Sequence, residues 1–465
     1  MQGTSLLHSA LALALFGALA CGGRSKDRRT IILDETGGMA AAGGLPATGG
    51  AGGRSGGASN VAGTGGSDGG VGGEPDRQPC KLTEANARDG LELVTLSLDC
   101  RVSDGDAAFS RLTPDGRYVA FDSEAGDLVA NDLNGRSDGF LFDLETRELE
   151  LISKRYGGDD PAQAYTWLLV PSDDARYVAF TAMSYELTAG TPPEGIWVYL
   201  RDREAATTRR FAASYACTYW VDMSGDARFI VAEGFSNCQG GLEEGDHDTS
   251  VEYDLETNET RYFEVTDGGQ DNYRPAISRD GRFVLWATRP PGTRGQYVSQ
   301  LELFDRTLDT TTTLPLFAFN YESTDLSDSG DVIAFGSGGQ IYRYVIGADE
   351  LALVSANSLG EEGDDFSEQA SLSGDGRYLV FRSSSTNLVD DDTNGVADIF
   401  LFDAMSGALE RVSVAGDGSQ SDDDSRYPFV SGDGSKVSFS SKARNLLPLA
   451  TSGDYQLYVR TLTPR

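Results

Sequence analysis

Apolar positions return along this chain in short runs behind the same polar turn. The phrase is TPDGRYVAF from Thr113, SDDARYVAF from Ser172, SGDARFIVA from Ser224, SRDGRFVLW from Ser278, SDSGDVIAF from Ser327, SGDGRYLVF from Ser373 and SGDGSKVSF from Ser431. Successive starts lie 46 to 59 residues apart. The Asp-Gly or Asp-Ala pair predicts a tight turn, because Gly tolerates positive φ and Asp bonds back to nearby amides. Each phrase is therefore a hairpin joining a first strand to a second. The second strand, as in Arg117 to Phe121 or Arg377 to Phe381, is apolar on both faces and fits between two neighbouring sheets. A third strand follows near Phe140 to Asp143, Ile196 to Tyr199, Leu301 to Phe304, Ile399 to Phe402 and Tyr455 to Val459. A more polar fourth follows near Leu149 to Ser153, Leu351 to Ser355 and Leu409 to Val414, as suits an outer edge. Four strands per repeat at this period predict an all-β, seven-bladed β-propeller of four-stranded antiparallel blades.

The last repeat reaches only its third strand before the chain stops at Arg465. Leu91 to Ser97, LELVTLS, precedes the first hairpin and has the pattern of the fourth strands LELISK and LERVSV. The expectation is that this N-terminal strand pairs with Tyr455 to Leu462 and closes the last blade, leaving no bare sheet edge.

The phrases SGDGRYLVF and NLVDDDTNGVADIFLFD, with RVSV after them, resemble the repeats of TolB-like, WD-repeat-like bacterial propellers over roughly Leu91 to Arg465. Such blades serve in envelope scaffolds, binding modules and gating domains of peptidases, so the resemblance implies a fold rather than an activity. The pattern departs from TolB itself, which resembles a six-bladed propeller behind a small α/β domain. Here there are seven repeats behind a Gly-rich stretch.

Leu6 to Ala20 is an apolar run with the length of a signal-peptide core, ending in Ala18-Leu19-Ala20-Cys21, a lipobox-like sequence whose Cys21 would take the lipid. Residues 1–21 are expected to be a signal peptide with its lipidation Cys. An uncleaved anchor fits less well, since Arg24, Lys26, Arg28 and Arg29 follow the run. Residues 22–79 are rich in Gly, Ala, Ser and Thr and are expected to form a disordered tether, whose 58 residues would reach about 40 Å. Residues 80–465 are then the propeller, exported and held at the cell envelope. Beyond Cys21 four cysteines remain, an even number suited to disulfides in an exported chain. Of the three pairings, Cys80 with Cys100 and Cys217 with Cys238 is preferred, because each pair brackets about one hairpin.

With 72 acidic and 38 basic residues the net charge is −34, which disfavours nucleic acid as a partner. Acidic runs fall in the loops expected on one face: Asp364 and Asp365, Asp390 to Asp392, and Asp422 to Asp424. In Asp390-Asp391-Asp392-Thr393-Asn394-Gly395-Val396-Ala397-Asp398, oxygen side chains stand at positions one, three, five and nine with Gly at six, the order of a calcium loop. Asp390, Asp392, Asn394 and Asp398 are the candidate ligands. The twelfth position is Leu401, which excludes a full EF-hand, and the preferred reading is a structural Asn-Gly turn. Calcium is the one cofactor the sequence raises.

Catalytic signals are thin. His8 would leave with the signal, and His247 sits in a polar loop. Gly-x-Ser-x-Gly matches at Gly53 and Gly65 fall within the tether, where no strand-to-helix elbow exists. The expectation is a monomeric binding or scaffold module, without catalysis, for an envelope protein or cell-wall polymer, touching the membrane only through its lipid. The competing reading is a glycan hydrolase or lyase built on a carboxylate pair.

Overall fold

A computed structural model describes residues 80–462, apart from 185, 191–194, 212–216, 236–247, 264–271, 289–297, 320–323 and 450–452. Cys21, the expected tether, Cys238 and His247 lie outside the described residues.

The recurring phrase builds its hairpin from its own side chains. In the first blade the Thr113 hydroxyl donates to Asp115 Oδ1 at 2.6 Å and accepts the Tyr118 amide at 3.0 Å, while Asp115 accepts the Arg117 amide at 2.9 Å. The same three bonds recur from Ser172 and Ser373. The residue after Asp takes positive φ: 65° at Gly116, 66° at Gly376, and 54° and 58° where Ala175 and Ala227 replace Gly. An L-residue there carries on the order of 1 kcal/mol of strain, which is why Gly predominates. The next Arg crosses to the Asp that ends the third strand, at 2.6 to 3.1 Å, in Arg117–Asp143, Arg176–Asp202, Arg228–Asp254, Arg282–Asp305 and Arg377–Asp403. Asp143 also accepts the Glu145 and Thr146 amides, so one carboxylate fixes two turns.

Seven antiparallel sheets result, each running from an inner first strand outward. The inner strands are Ala107–Leu112, Ala164–Pro171, Cys217–Met223, Asn272–Ile277, Thr324–Leu326, Ser367–Leu372 and Ser425–Val430. Each touches the next, and the last touches the first, so they close a ring around an axis. Seven hydrophobic clusters fill the interfaces between successive blades. Among the described residues a stacked aromatic pair joins second and third strands in five blades, as in Phe121–Phe140 and Phe381–Phe400. Such pairs add about 0.5–1.5 kcal/mol beyond burial.

The ring closes through the N-terminal strand. Leu91–Leu93 pairs antiparallel with Tyr458–Arg460, and the Val94 amide donates to Leu457 O at 2.9 Å. The paired strand is shorter than LELVTLS because the chain turns away after Val94 towards the first blade. A short strand, Ala87–Arg88, adds a fifth to this sheet. Cys80 and Cys100 are joined by a disulfide with their Cα atoms 5.5 Å apart, so the closing strand lies inside a covalent loop.

Candidate functional site

Hairpins between first and second strands emerge at one end of the ring, the hairpin face. Connections between blades, and between second and third strands, emerge at the other, the loop face. The hairpins bond to one another around the axis: Asp173 N to Gly225 O, Gly225 N to Arg279 O, Asp328 N to Gly374 O, Gly374 N to Gly432 O and Asp433 N to Pro114 O, at 2.8 to 2.9 Å. Asp173, Arg279 and Asp328 hold the matching place in other hairpins, but at Gly432 the neighbouring backbone leaves no room for a side chain. A Cβ on Gly432 would lie 2.9 Å from Pro114 Cα.

Above this ring of turns sits a charged floor. Arg111 Nη1 of the first blade lies 2.7 Å from Asp222 Oδ1 of the third. Asp222 Oδ2 accepts the Ile277 amide at 3.0 Å, and Asp325 Oδ2 accepts the Leu372 amide at 2.8 Å. Together with Arg279 and Phe429 these residues line a cavity of about 40 Å³ on the axis. Burial pushes Asp325 up to about 6, with Arg111 opposing the shift and Asp222 adding to it.

Nearer the loop face, the inner strands change register within six blades, at 107/110, 167/170, 217/220, 273/276, 368/371 and 426/429. Bulges re-aim side chains. Here Leu168, Arg274, Gln369 and Tyr427 take φ of 46° to 59°. With Phe109 and Trp220 they form a half-buried collar. Phe109 and Tyr427 rings lie 4.1 Å apart, the Tyr427 amide donates to Gln369 Oε1 at 2.7 Å, and the Arg274 guanidinium lies 5.1 Å from the Trp220 ring centroid. Behind the collar two buried carboxylates differ by one methylene. Glu233 accepts the Arg274 amide at 3.0 Å and is raised to about 6 by burial. Asp122, at the matching position of the first blade, is pushed up to about 8 by burial against the pull of Arg426, and its Oδ1 accepts no hydrogen bond from the described residues.

The acidic loop of the sixth blade brings Asp392, Asn394 and Asp398 together around an arginine. Arg411 Nη2 lies 2.9 Å from Asp392 Oδ2, and Arg411 Nε lies 3.4 Å from Asp398 Oδ2. Asp398 Oδ2 also accepts from Asn394 at 2.7 Å, and its Oδ1 accepts from Ser413 and Ser421 at 2.5 and 2.7 Å. Asp390 is exposed. Among the described residues no group of three or more His, Cys, Asp or Glu is placed to share a metal ion. The bond from Ser413 to Asp398 belongs to a recurring link between the start of a third strand and the exit of the blade. It reappears as Ser153 to Asp138, Ser355 to Gln340 and Thr95 to Gln456, each at 2.6 Å. Sequence reading missed this link because the partners lie 15 residues apart within a blade, or 361 apart across the closure.

The other acidic runs are partly structural. Asp364 accepts the Thr386 amide and hydroxyl at 2.7 and 2.9 Å, which holds its carboxyl below the usual range, and Asp422 accepts the Arg444 amide at 2.6 Å. Cys217 opens the inner strand of the third blade.

No protein-family model matches this chain, and no curated protein matches it. Among solved structures, a chain from a structural and mechanistic analysis of two prolyl endopeptidases has the same architecture at a TM-score of 0.50 and 8% identity. The match covers 80% of this chain and 51% of that one, so this chain spans about half its length. At that identity the likeness speaks to the propeller fold alone.

Proposed function

We propose that this chain is a binding module held at the cell envelope, which presents its loop face and channel mouth to a protein or cell-wall ligand and carries out no reaction itself. The observation that carries this reading is the collar of Phe109, Leu168, Trp220, Arg274, Gln369 and Tyr427. Half-exposed aromatic and arginine side chains on a rigid ring are the residue types that dominate binding energy at interfaces. The floor beneath them is already occupied by its own ion pair and amide bonds, which favours binding over carboxylate chemistry.

Envelope placement rests on the apolar run ending at Cys21 and on the disulfide between Cys80 and Cys100, a bond suited to an oxidising compartment. A photoreactive side chain at Phe109, used in intact envelopes, should crosslink a discrete partner. The same probe at Leu308, an exposed position in a turn of the hairpin face, should not. Equal labelling from both positions would discard the reading. Cys21→Ser should move the protein from the membrane to the soluble fraction, and unchanged partition would remove the lipid anchor.

A further inference from the structure

Among the described residues, four connections between blades share one plan. Those entering the first, second, sixth and seventh blades are each closed by a single bridge, Leu96 to Val102, Lys154 to Pro161, Ala356 to Glu362 and Val414 to Gln420. Each also has a tight turn at its tip: Cys100 N to Ser97 O, Gly158 N to Arg155 O, Gly360 N to Asn357 O and Gly418 N to Ala415 O, at 2.9 to 3.1 Å. A carboxylate at the base pins three of them to the neighbouring loop, through Asp104 to the Gly126 amide, Asp364 to Thr386 and Asp422 to Arg444. They stand on consecutive blade junctions and form an arc of small braced projections.

Three of the tips hold apolar side chains in water. Leu98 is 43%, Tyr156 63% and Leu359 81% exposed, and on the same face Leu133 is 93% and Phe366 67% exposed. Exposed carboxylates outnumber exposed basic side chains among them: Asp99, Glu361, Asp390, Asp391 and Asp417 stand against Arg101, Arg155 and Arg444, while Asp159 pairs with Lys154 at 3.4 Å. Large apolar side chains held out by a rigid frame mark an interaction surface. The surrounding charge selects its partner, because anionic lipid or nucleic acid would be repelled while lysine and arginine would be drawn in.

We propose that this arc is a docking surface for a basic polypeptide segment that also carries apolar side chains. The inference rests on the binding-module reading and names its partner class. Apolar tips seat the partner's hydrophobic residues, and the carboxylates between them pair with its basic residues.

The test uses the full chain with three probes: an amphipathic Lys/Leu peptide, its Glu/Leu counterpart, and vesicles of mixed anionic and zwitterionic lipid. The Lys/Leu peptide should bind, and binding should weaken as salt rises. The double variant Tyr156→Ser/Leu359→Ser should weaken it at least about tenfold, or roughly 1.4 kcal/mol. Leu308→Ser/Met405→Ser, which removes exposed apolar side chains from hairpin-face turns, should leave it unchanged. Melting curves of both variants check that the fold is kept. Equal losses from the two variants, or preference for the Glu/Leu peptide or the vesicles, overturns the proposal. A partner crosslinked from Phe109 whose capture survives Tyr156→Ser/Leu359→Ser keeps the binding module and discards the arc.

Discussion

At the scale of single residues, two sets of carboxylates are shifted in opposite directions. Asp143, Asp202, Asp254, Asp305 and Asp403 are held below the usual carboxylate range, with a bond from the phrase Arg the largest cause for all but Asp143, where that bond outweighs burial together with turn amides. Their stabilisation is present above pH about 4 and lost as pH falls through their lowered values. Asp122 and Asp138 are pushed up to about 8 and about 7 by burial. For these the sign reverses: the native state holds protons the unfolded chain has released, so stability falls as pH rises from about 4 towards 8. Asp122→Asn should therefore gain stability relative to wild type as pH goes from 5 to 8, on the order of 1 kcal/mol per pH unit, read from denaturant melts at each pH. A difference that stays flat with pH would show that Asp122 ionises freely. Arg411 is a case of direct pairing: its side chain is 6% exposed between Asp392 and Asp398, themselves 3% and 1% exposed, and it opposes the upward push of burial on Asp392. Arg411→Leu, which copies Leu151 of the first blade, should cost about 3–5 kcal/mol by leaving buried charges unpaired. With that arginine in place, wild-type melting should be the same in millimolar calcium and in chelator, and a calcium-dependent rise would return the loop to the list of cation sites.

At the scale of elements, the Ser-x-Asp turn was legible because all its partners lie within five residues of one another. The Arg–Asp cross-link was not, because its partners are 23 to 26 residues apart and the sequence does not say which carboxylate the arginine meets. The collar was hidden for a different reason: a bulge breaks the alternation of side chains, so residues that period-two reading sends to a blade interface turn towards the axis instead. Close packing of the hairpins is also a property of elements, and Gly432→Ala tests it by setting a methyl against the Pro114 backbone. The expected loss is about 1–3 kcal/mol in chemical denaturation, and an unchanged midpoint would mean that the turns have room to part. Replacing Cys80 and Cys100 together by Ser should cost about 3 kcal/mol, as for any link closing a loop of roughly twenty residues. Equal stability with and without reductant would count against that contribution.

At the scale of the whole molecule, seven interfaces are equivalent in kind, and the two that flank the last blade draw on both the N-terminal closing strand and the C-terminal strand. Removing residues 1–79 should leave the melting temperature nearly unchanged, whereas removal through Ser97 takes away Leu91, Leu93, Val94 and Leu96, all buried, and exposes the edge of Gln456–Thr461. The longer truncation should melt far lower and self-associate through that edge, and matching melting curves would refute closure by this strand. The repeat, the blade count and this closure could all be inferred from the chain alone, because they depend on local pattern repeated at long range. What the axis presents could not, since it gathers one or two residues from each of seven distant segments. The position of the disulfide has a mechanical consequence. A pull on the chain upstream of Cys80 is carried by the sulfur bridge directly to Cys100, and the intervening Leu91–Leu93 strand bears no load. Tugged from its N-terminal side, the ring is therefore shielded from being unzipped at its seam, and chemical reduction would make that seam the first part to yield.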